Sequence, residues 1–202
     1  MKYLILVTVI STALFACGGP EQKNDTNQQT SQKTSQSKNS DSFNHSFEKL
    51  LTSYYSLKDA LVEYDTVQAN AASRDIAGYA DSLQSLHFTS DSSGSTQETA
   101  KNYAATIIGS ALGLVGESDL QNKKKEFQMI SDAMYDLART VKYDGQTIYH
   151  QHCPMAFNDE VEAYWLSNSS TIVNPYLGKK HPKYKSGMVG CGDVTDSLAY
   201  SH

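Results

Sequence analysis

From Gly18 to Ser42 the chain carries no aliphatic or aromatic side chain. Such a stretch has no apolar surface whose burial could offset its ordering entropy, so a folded core is excluded there and a disordered tether is expected. A basic cluster is missing too. The 202 residues have a formal charge of −5, which argues against nucleic acid as a partner. No Ser-His-Asp arrangement, phosphate-cradling glycine loop or framed carboxylate pair is present, and Gly109, Gly113 and Gly116 are too sparse and too helical in context to cradle a phosphate. No catalytic residue is assigned, and enzyme activity is not expected. Cysteine is scarce, with three in the chain.

What is present begins at the N-terminus. Lys2 supplies a positive charge, Tyr3 to Ile10 is an almost unbroken apolar run, and Ser11 to Ala16 ends in small residues ahead of Cys17. This is the layout of a secretory signal peptide over 1–16, too short to remain as a spanning helix. Leu14-Phe15-Ala16-Cys17 resembles the lipobox of bacterial lipoproteins, which implies cleavage before Cys17 and lipidation of its thiol. Two or more acyl chains, at about 0.8 kcal/mol per buried methylene, give stable anchoring. Gly18 in place of aspartate implies, within that pattern, sorting to the outer membrane. The expected location is the cell envelope, facing the periplasm, with 17–42 as lipidated cysteine and tether. The membrane is then a partner through the lipid anchor alone.

Four segments within a domain over 43–196 show helical periodicity. Phe43, Phe47, Leu50, Tyr54, Leu57, Leu61 and Tyr64 form the first stripe, and Ala69, Ala72, Ile76, Tyr79, Leu83 and Leu86 the second. Ala100, Ala104, Ile107, Ala111 and Leu114 form the third, and Leu120, Phe127, Ile130, Met134, Leu137 and Val141 the fourth. Asp65 or Thr66 caps the second helix, while Ser95-x-x-Glu98 and Ser118-x-x-Gln121 read as capping boxes for the third and fourth. Short connections favour antiparallel neighbours. The fold class is therefore mainly α: an antiparallel four-helix bundle with a loop-rich C-terminal region that contains short strands. Thr147 to His152 reads as a strand, Val161 to Leu166 as a turn of helix, and Asn174-Pro175-Tyr176 and Gly187 to Gly192 as turns. Trp165 and Tyr164 read as core anchors, and His45, His87 and His202 as exposed.

Chemistry-bearing residues gather over about 147–194. His150, His152, Cys153 and Met155 precede Met188 and Cys191. Cys153-Pro154-Met155-Ala156, Ala163-Tyr164-Trp165-Leu166-Ser167, Ile172, Asn174-Pro175-Tyr176 with Gly178, and Met188 with Cys191-Gly192 resemble a little-characterised periplasmic family. Tyr54-Tyr55 and Leu57 to Val62 carry the likeness into the helical half. Members stand alone behind a lipoprotein signal or are appended to adaptor subunits of heavy-metal efflux pumps in Bacteroidetes-type bacteria. The segment Lys179 to Gly187, with His181-Pro182, is longer than the usual link before the methionine. The resemblance implies a setting of metal handling, with a heavy-metal efflux component as candidate partner.

Taken by residue chemistry, two readings stand side by side. Thiolates and thioethers are soft donors suited to Cu(I) or Ag(I). Cys153, Met155, Met188 and Cys191, with His152 or His150, make a candidate metal set. Cys153 and Met155 share one face of an extended strand, whereas both histidines have the other parity and reach the thiol only if Pro154 bends the chain. Alternatively, lipidation of Cys17 leaves Cys153 and Cys191 as a pair in an oxidising compartment, where a structural disulfide is the default. The first reading gives a metal-binding accessory of efflux or homeostasis; the second gives a structural or interaction domain stapled by that bond. No cofactor is fixed beyond the candidate Cu(I) or another soft heavy-metal ion.

Overall fold

Helix formation begins two residues ahead of the first apolar anchor. The computed structural model describes residues 39–86 and 94–200; the signal segment, Cys17, the tether up to residue 38, His87 and His202 lie outside them. Ser40 adopts an extended conformation and its hydroxyl accepts from the Phe43 amide at 3.2 Å, so α1 runs Asp41–Glu63. It ends at Tyr64, held left-handed at φ 61°. Asp65 then caps α2, Thr66–Gln84, by accepting from the Gln68 amide.

Helices α3, Ser95–Gly116, and α4, Leu120–Val141, complete the bundle. Their caps differ from the capping boxes expected at Ser95 and Ser118. Gly94, left-handed at φ 74°, caps α3 without a side-chain bond, and Ser95 is already its first residue. At α4 the cap is Asp119, one residue later than expected, whose carboxylate accepts from the Asn122 amide at 3.0 Å. The carboxylate also complements the positive end of the helix dipole, which Ser118 would not.

Neighbouring helices are joined by short connections, and α1 packs against α4 to close the bundle. Phe47 stacks on Tyr143 with ring centres 4.5 Å apart, and Tyr54 stacks on Phe127 at 5.4 Å. The core continues without a break into the C-terminal region, since Phe127 also meets Tyr176 at 5.6 Å and Tyr176 meets Trp165 at 6.0 Å. Met134 is fully buried, as the α4 stripe requires, whereas Met129 and Tyr79 are exposed.

Three antiparallel strands follow: β1 Ile148–Phe157, β2 Val161–Ser167 and β3 Asp193–Leu198, in the order β2-β1-β3. The segment expected as a turn of helix from Val161 is therefore β2. Ala163 pairs with Cys153 and Trp165 with Gln151, both buried pairs on one face, and this cross-strand pairing prevails over local periodicity. The free edge of β2 is sewn to α1 and to the turn that carries Tyr176, because the Leu166 amide donates to the Tyr54 hydroxyl at 3.0 Å and the Tyr176 hydroxyl donates to the Tyr164 carbonyl at 2.6 Å. β3 was not foreseen; it runs to Leu198 beside β1 and is exposed up to its last residue.

The bundle has two distinct ends. The chain enters at Asn39, whose side-chain amide donates to the carbonyl of Val141, the last residue of α4. α1 then carries it about 34 Å, at 1.5 Å per residue over 23 residues, to Tyr64. There the Tyr64 hydroxyl donates to the Leu177 carbonyl, and the Lys179 amide donates to the Val62 carbonyl.

Candidate functional site

β1 passes straight through the Cys-Pro-Met segment. Pro154 sits exposed beside an irregularity in register between Cys153 and Phe157, so its missing N–H breaks no ladder bond that the fold needs. The strand's alternation then divides the candidate residues. Cys153 and Gln151 share one face with Ala163 and Trp165, all fully buried. His150 and His152 share the other.

The two histidines are accordingly kept away from the thiol, and Pro154 supplies no bend that would redirect them. His150 is stacked between Tyr135 of α4, at 3.9 Å, and Tyr164, at 4.9 Å. Burial pulls its pKa down to about 4, so the ring is neutral at ordinary pH. His152 is flanked by two carboxylates, Glu162 at 3.0 Å and Asp193 at 3.3 Å. Its two nitrogens bind β2 and β3 to β1, which is a structural use of the ring. His45, as expected, is exposed.

Cys191 arrives on the loop that leads into β3. Asn174 organises its approach. The side-chain amide of Asn174 donates to the Cys191 carbonyl at 2.8 Å, its own backbone amide donates to Val189, and its side-chain oxygen accepts from the amides of Tyr176 and Leu177. Cys191 closes a turn on the Met188 carbonyl at 3.0 Å. Gly192 follows at φ 133°, where an added Cβ would overlap the His152 carbonyl oxygen and press on the Trp165 ring. The pairing of cysteine with glycine thus has a steric cause: only glycine lets this segment lie against β1.

The result is that Cys153 Sγ and Cys191 Sγ, 38 residues apart in sequence, stand 3.7 Å apart, both as free thiols. Cys153 is fully buried and Cys191 half-buried. Burial and the neighbouring sulfur push the Cys191 thiol up to about 11, so it keeps its proton at neutral pH unless a partner displaces it. Met155 and Met188 are both half-buried against the same core cluster that holds the pair. In the directly paired residues Gln151 and Trp165, the Gln151 side-chain oxygen and the indole Nε1 have no hydrogen-bond partner.

Among the described residues no three His, Cys, Asp or Glu side chains converge as a metal site. The donors that the structure brings together at Cys153 are thus its own sulfur and that of Cys191. That set fits a soft ion of low coordination number and does not fit four-coordinate zinc.

Sequence reasoning missed two features. Four lysines fall within seven residues, at Lys179, Lys180, Lys183 and Lys185, a local basic run hidden by the acidic total. Two of them are paired, Lys179 with Glu63 and Lys183 with Asp159. The second is a cavity of about 410 Å³ lined by Gln121, Met155, Asp159, Leu177, His181 and Lys183. The backbone amides of Lys183 and Tyr184 approach His181 Nδ1, which makes that nitrogen an acceptor and puts the ring proton on Nε2. Residues 50–145 match the model of a family described as proteins of unknown function (DUF3347); the match runs from within α1 to just past α4 and stops before Cys153 and Cys191. No curated protein and no solved structure matches the chain. None of the described helices is long and apolar enough to cross a membrane.

Proposed function

We propose that this chain is a lipid-anchored domain of the bacterial envelope that captures a soft heavy-metal ion, Cu(I) or Ag(I), through Cys153 and Cys191. It would serve as an accessory to metal efflux or homeostasis, tethered by Cys17 to the outer membrane. The observation that carries the reading is the 3.7 Å separation of two thiols from different elements. Two thiolates bound to one ion at about 2.3 Å lie about 3.8 Å apart at a tetrahedral angle and about 4.6 Å apart when linear, so the pair chelates by opening less than about 1 Å. The surroundings are apolar, which disfavours hard hydrated ions and suits sulfur donors. Binding must release the thiol protons, and affinity therefore rises with pH.

The test is titration of the full chain, reduced and kept anaerobic, with Ag(I) or with Cu(I) in competition with a chromophoric chelator. One ion per chain is expected, and none for a Cys153→Ser/Cys191→Ser variant. Absence of binding by the reduced wild type at submicromolar ion concentration sinks the reading.

A second reading rests on the burial of Cys153 and the same sulfur contact. In an oxidising compartment the pair closes to a disulfide of about 2.05 Å, and the domain is then a stapled interaction module. Mass spectrometry of protein taken from cells without added reductant distinguishes the two. A complete Cys153–Cys191 bond, with unchanged metal tolerance in a deletion strain, favours the staple.

A further inference from the structure

Cys153 is sealed from solvent, and Cys191 only partly open. An ion that reaches the sealed Cys153 sulfur by any route other than the partly open Cys191 passes another side chain. Met155 has the position and the chemistry for this. It stands two residues beyond Cys153 on β1, inside the stretch where the β1–β2 register is irregular. It packs against the core cluster on one side and lines the 410 Å³ cavity on the other. Its thioether is a neutral soft donor that holds such ions weakly and exchanges them readily.

The rest of the cavity wall selects against hard cations. Asp159 is engaged by Lys183, and Gln121, Leu177 and the Nε2–H of His181 offer no further anionic donor. Lys124, fully buried close behind, adds positive potential that is felt at His181. A hydrated divalent ion finds no carboxylate cage here, whereas a soft ion brought as a neutral or anionic complex can pass its ligand to sulfur. The cavity also lies where α1 ends and α4 begins, about 34 Å along α1 from the point of chain entry.

Resting on the soft-metal reading above, we infer that Met155 is the entry port of the Cys153–Cys191 site, passing a soft monovalent ion inward from a cavity at the bundle end remote from Asn39. A port differs from a resident ligand in its kinetics. It speeds loading and release together and leaves the equilibrium affinity unchanged.

The experiment is stopped-flow mixing of the reduced full chain with Ag(I), read by the fluorescence of Trp165, the sole tryptophan, with release followed by a competing thiol. Met155→Leu keeps the apolar volume and should fold. Loading and release are both expected to slow by roughly tenfold or more with Kd unchanged. Gln121→Phe, on the exposed side of the cavity, leaves Met155 in place, keeps Trp165 the sole tryptophan and should slow loading in the same way. If Met155→Leu weakens Kd with loading unaffected, the residue is a ligand and the port is overturned. Unchanged kinetics in both variants overturns it as well. Failure of the wild type to bind Ag(I) sinks the soft-metal reading itself, a result separate from either of these.

Discussion

The hydroxyl of Tyr54, in the middle of α1, takes the hydrogen bond that a further strand would otherwise supply to β2. It accepts from the Leu166 amide at 3.0 Å. Ser131 Oγ donates to its own helix at the Phe127 carbonyl, so the Tyr54 proton must be given to Ser131, 2.6 Å away. Burial holds the phenol far above its usual pKa, and it stays neutral across the working pH range. Tyr54→Phe keeps the ring and strands a buried amide. A loss of about 1–3 kcal/mol in denaturant unfolding is expected, with faster hydrogen exchange at Leu166. Unchanged protection at Leu166 would show that the edge is held by something else.

Gly178 makes a second tie between the helices and the C-terminal region. It is left-handed at φ 57°, and an added Cβ would stand 2.6 Å from the Tyr64 ring and 2.8 Å from the Val62 carbonyl oxygen. The strained left-handed Tyr64 is thereby explained, since its ring must lie flat against this glycine while its hydroxyl reaches Leu177. Gly178→Ala combines backbone strain with a steric clash and should cost about 1–3 kcal/mol. Thermal unfolding measures this. A variant as stable as wild type would mean that the loop can move off Tyr64.

These two contacts also show what could be read beforehand. The α1 and α4 stripes placed Phe47, Tyr54, Phe127 and Met134 in a core because burial follows a 3.6-residue period. Val161 to Leu166 reads locally as a turn of helix but forms β2, because a short segment becomes a strand through its partner, and β1 lies outside any local window. Of the candidate site, strand parity alone foretold that His150 and His152 would not share the face of Cys153. The approach of Cys191 was not legible from spacing. It depends on Asn174 gathering four separate hydrogen bonds and on Gly192 clearing β1, which are relations across the fold.

Lys124 gives the domain a distinctive alkaline behaviour. Its side chain is fully buried, and it donates to the Tyr176 carbonyl at 2.6 Å and to the Tyr64 hydroxyl at 3.2 Å, neither an anion. Burial pulls its pKa down to about 8. The unfolded chain keeps this proton up to the ordinary lysine range, so between about pH 8 and 10 it binds more protons than the native state, and stability rises with pH. Above pH 10 the trend reverses. Tyr135 and Tyr143, pushed up by burial to about 12, hold their protons in the fold after the unfolded chain has lost them. Urea unfolding across this range should therefore show a maximum near pH 9–10, with a rise on the order of 1–2 kcal/mol from pH 8. Lys124→Met should remove most of the rise, with Lys123, whose pKa burial also lowers, supplying the remainder, and leave the fall. A wild-type curve that is flat from pH 8 to 10 would refute the assignment.

The cysteine pair links stability to redox state. The sulfurs lie in contact at 3.7 Å and need move only about 1.7 Å to reach bonding distance. Closing a loop of 38 residues constrains the unfolded chain by about 4 kcal/mol on the chain-entropy estimate. Oxidised protein should thus unfold at clearly higher denaturant than protein held in reductant, with the difference lost in Cys153→Ser/Cys191→Ser. The same oxidation removes both thiolates, so Ag(I) uptake should vanish in the oxidised form and return on reduction. A pair that resists oxidation and binds Ag(I) in air-exposed protein would make the soft-metal function independent of redox state. A pair that oxidises at once and cannot be reduced without unfolding would leave only the staple. The 3.7 Å separation lies within small movements of both chelate and bond, so the reductant available where the domain resides decides which one forms.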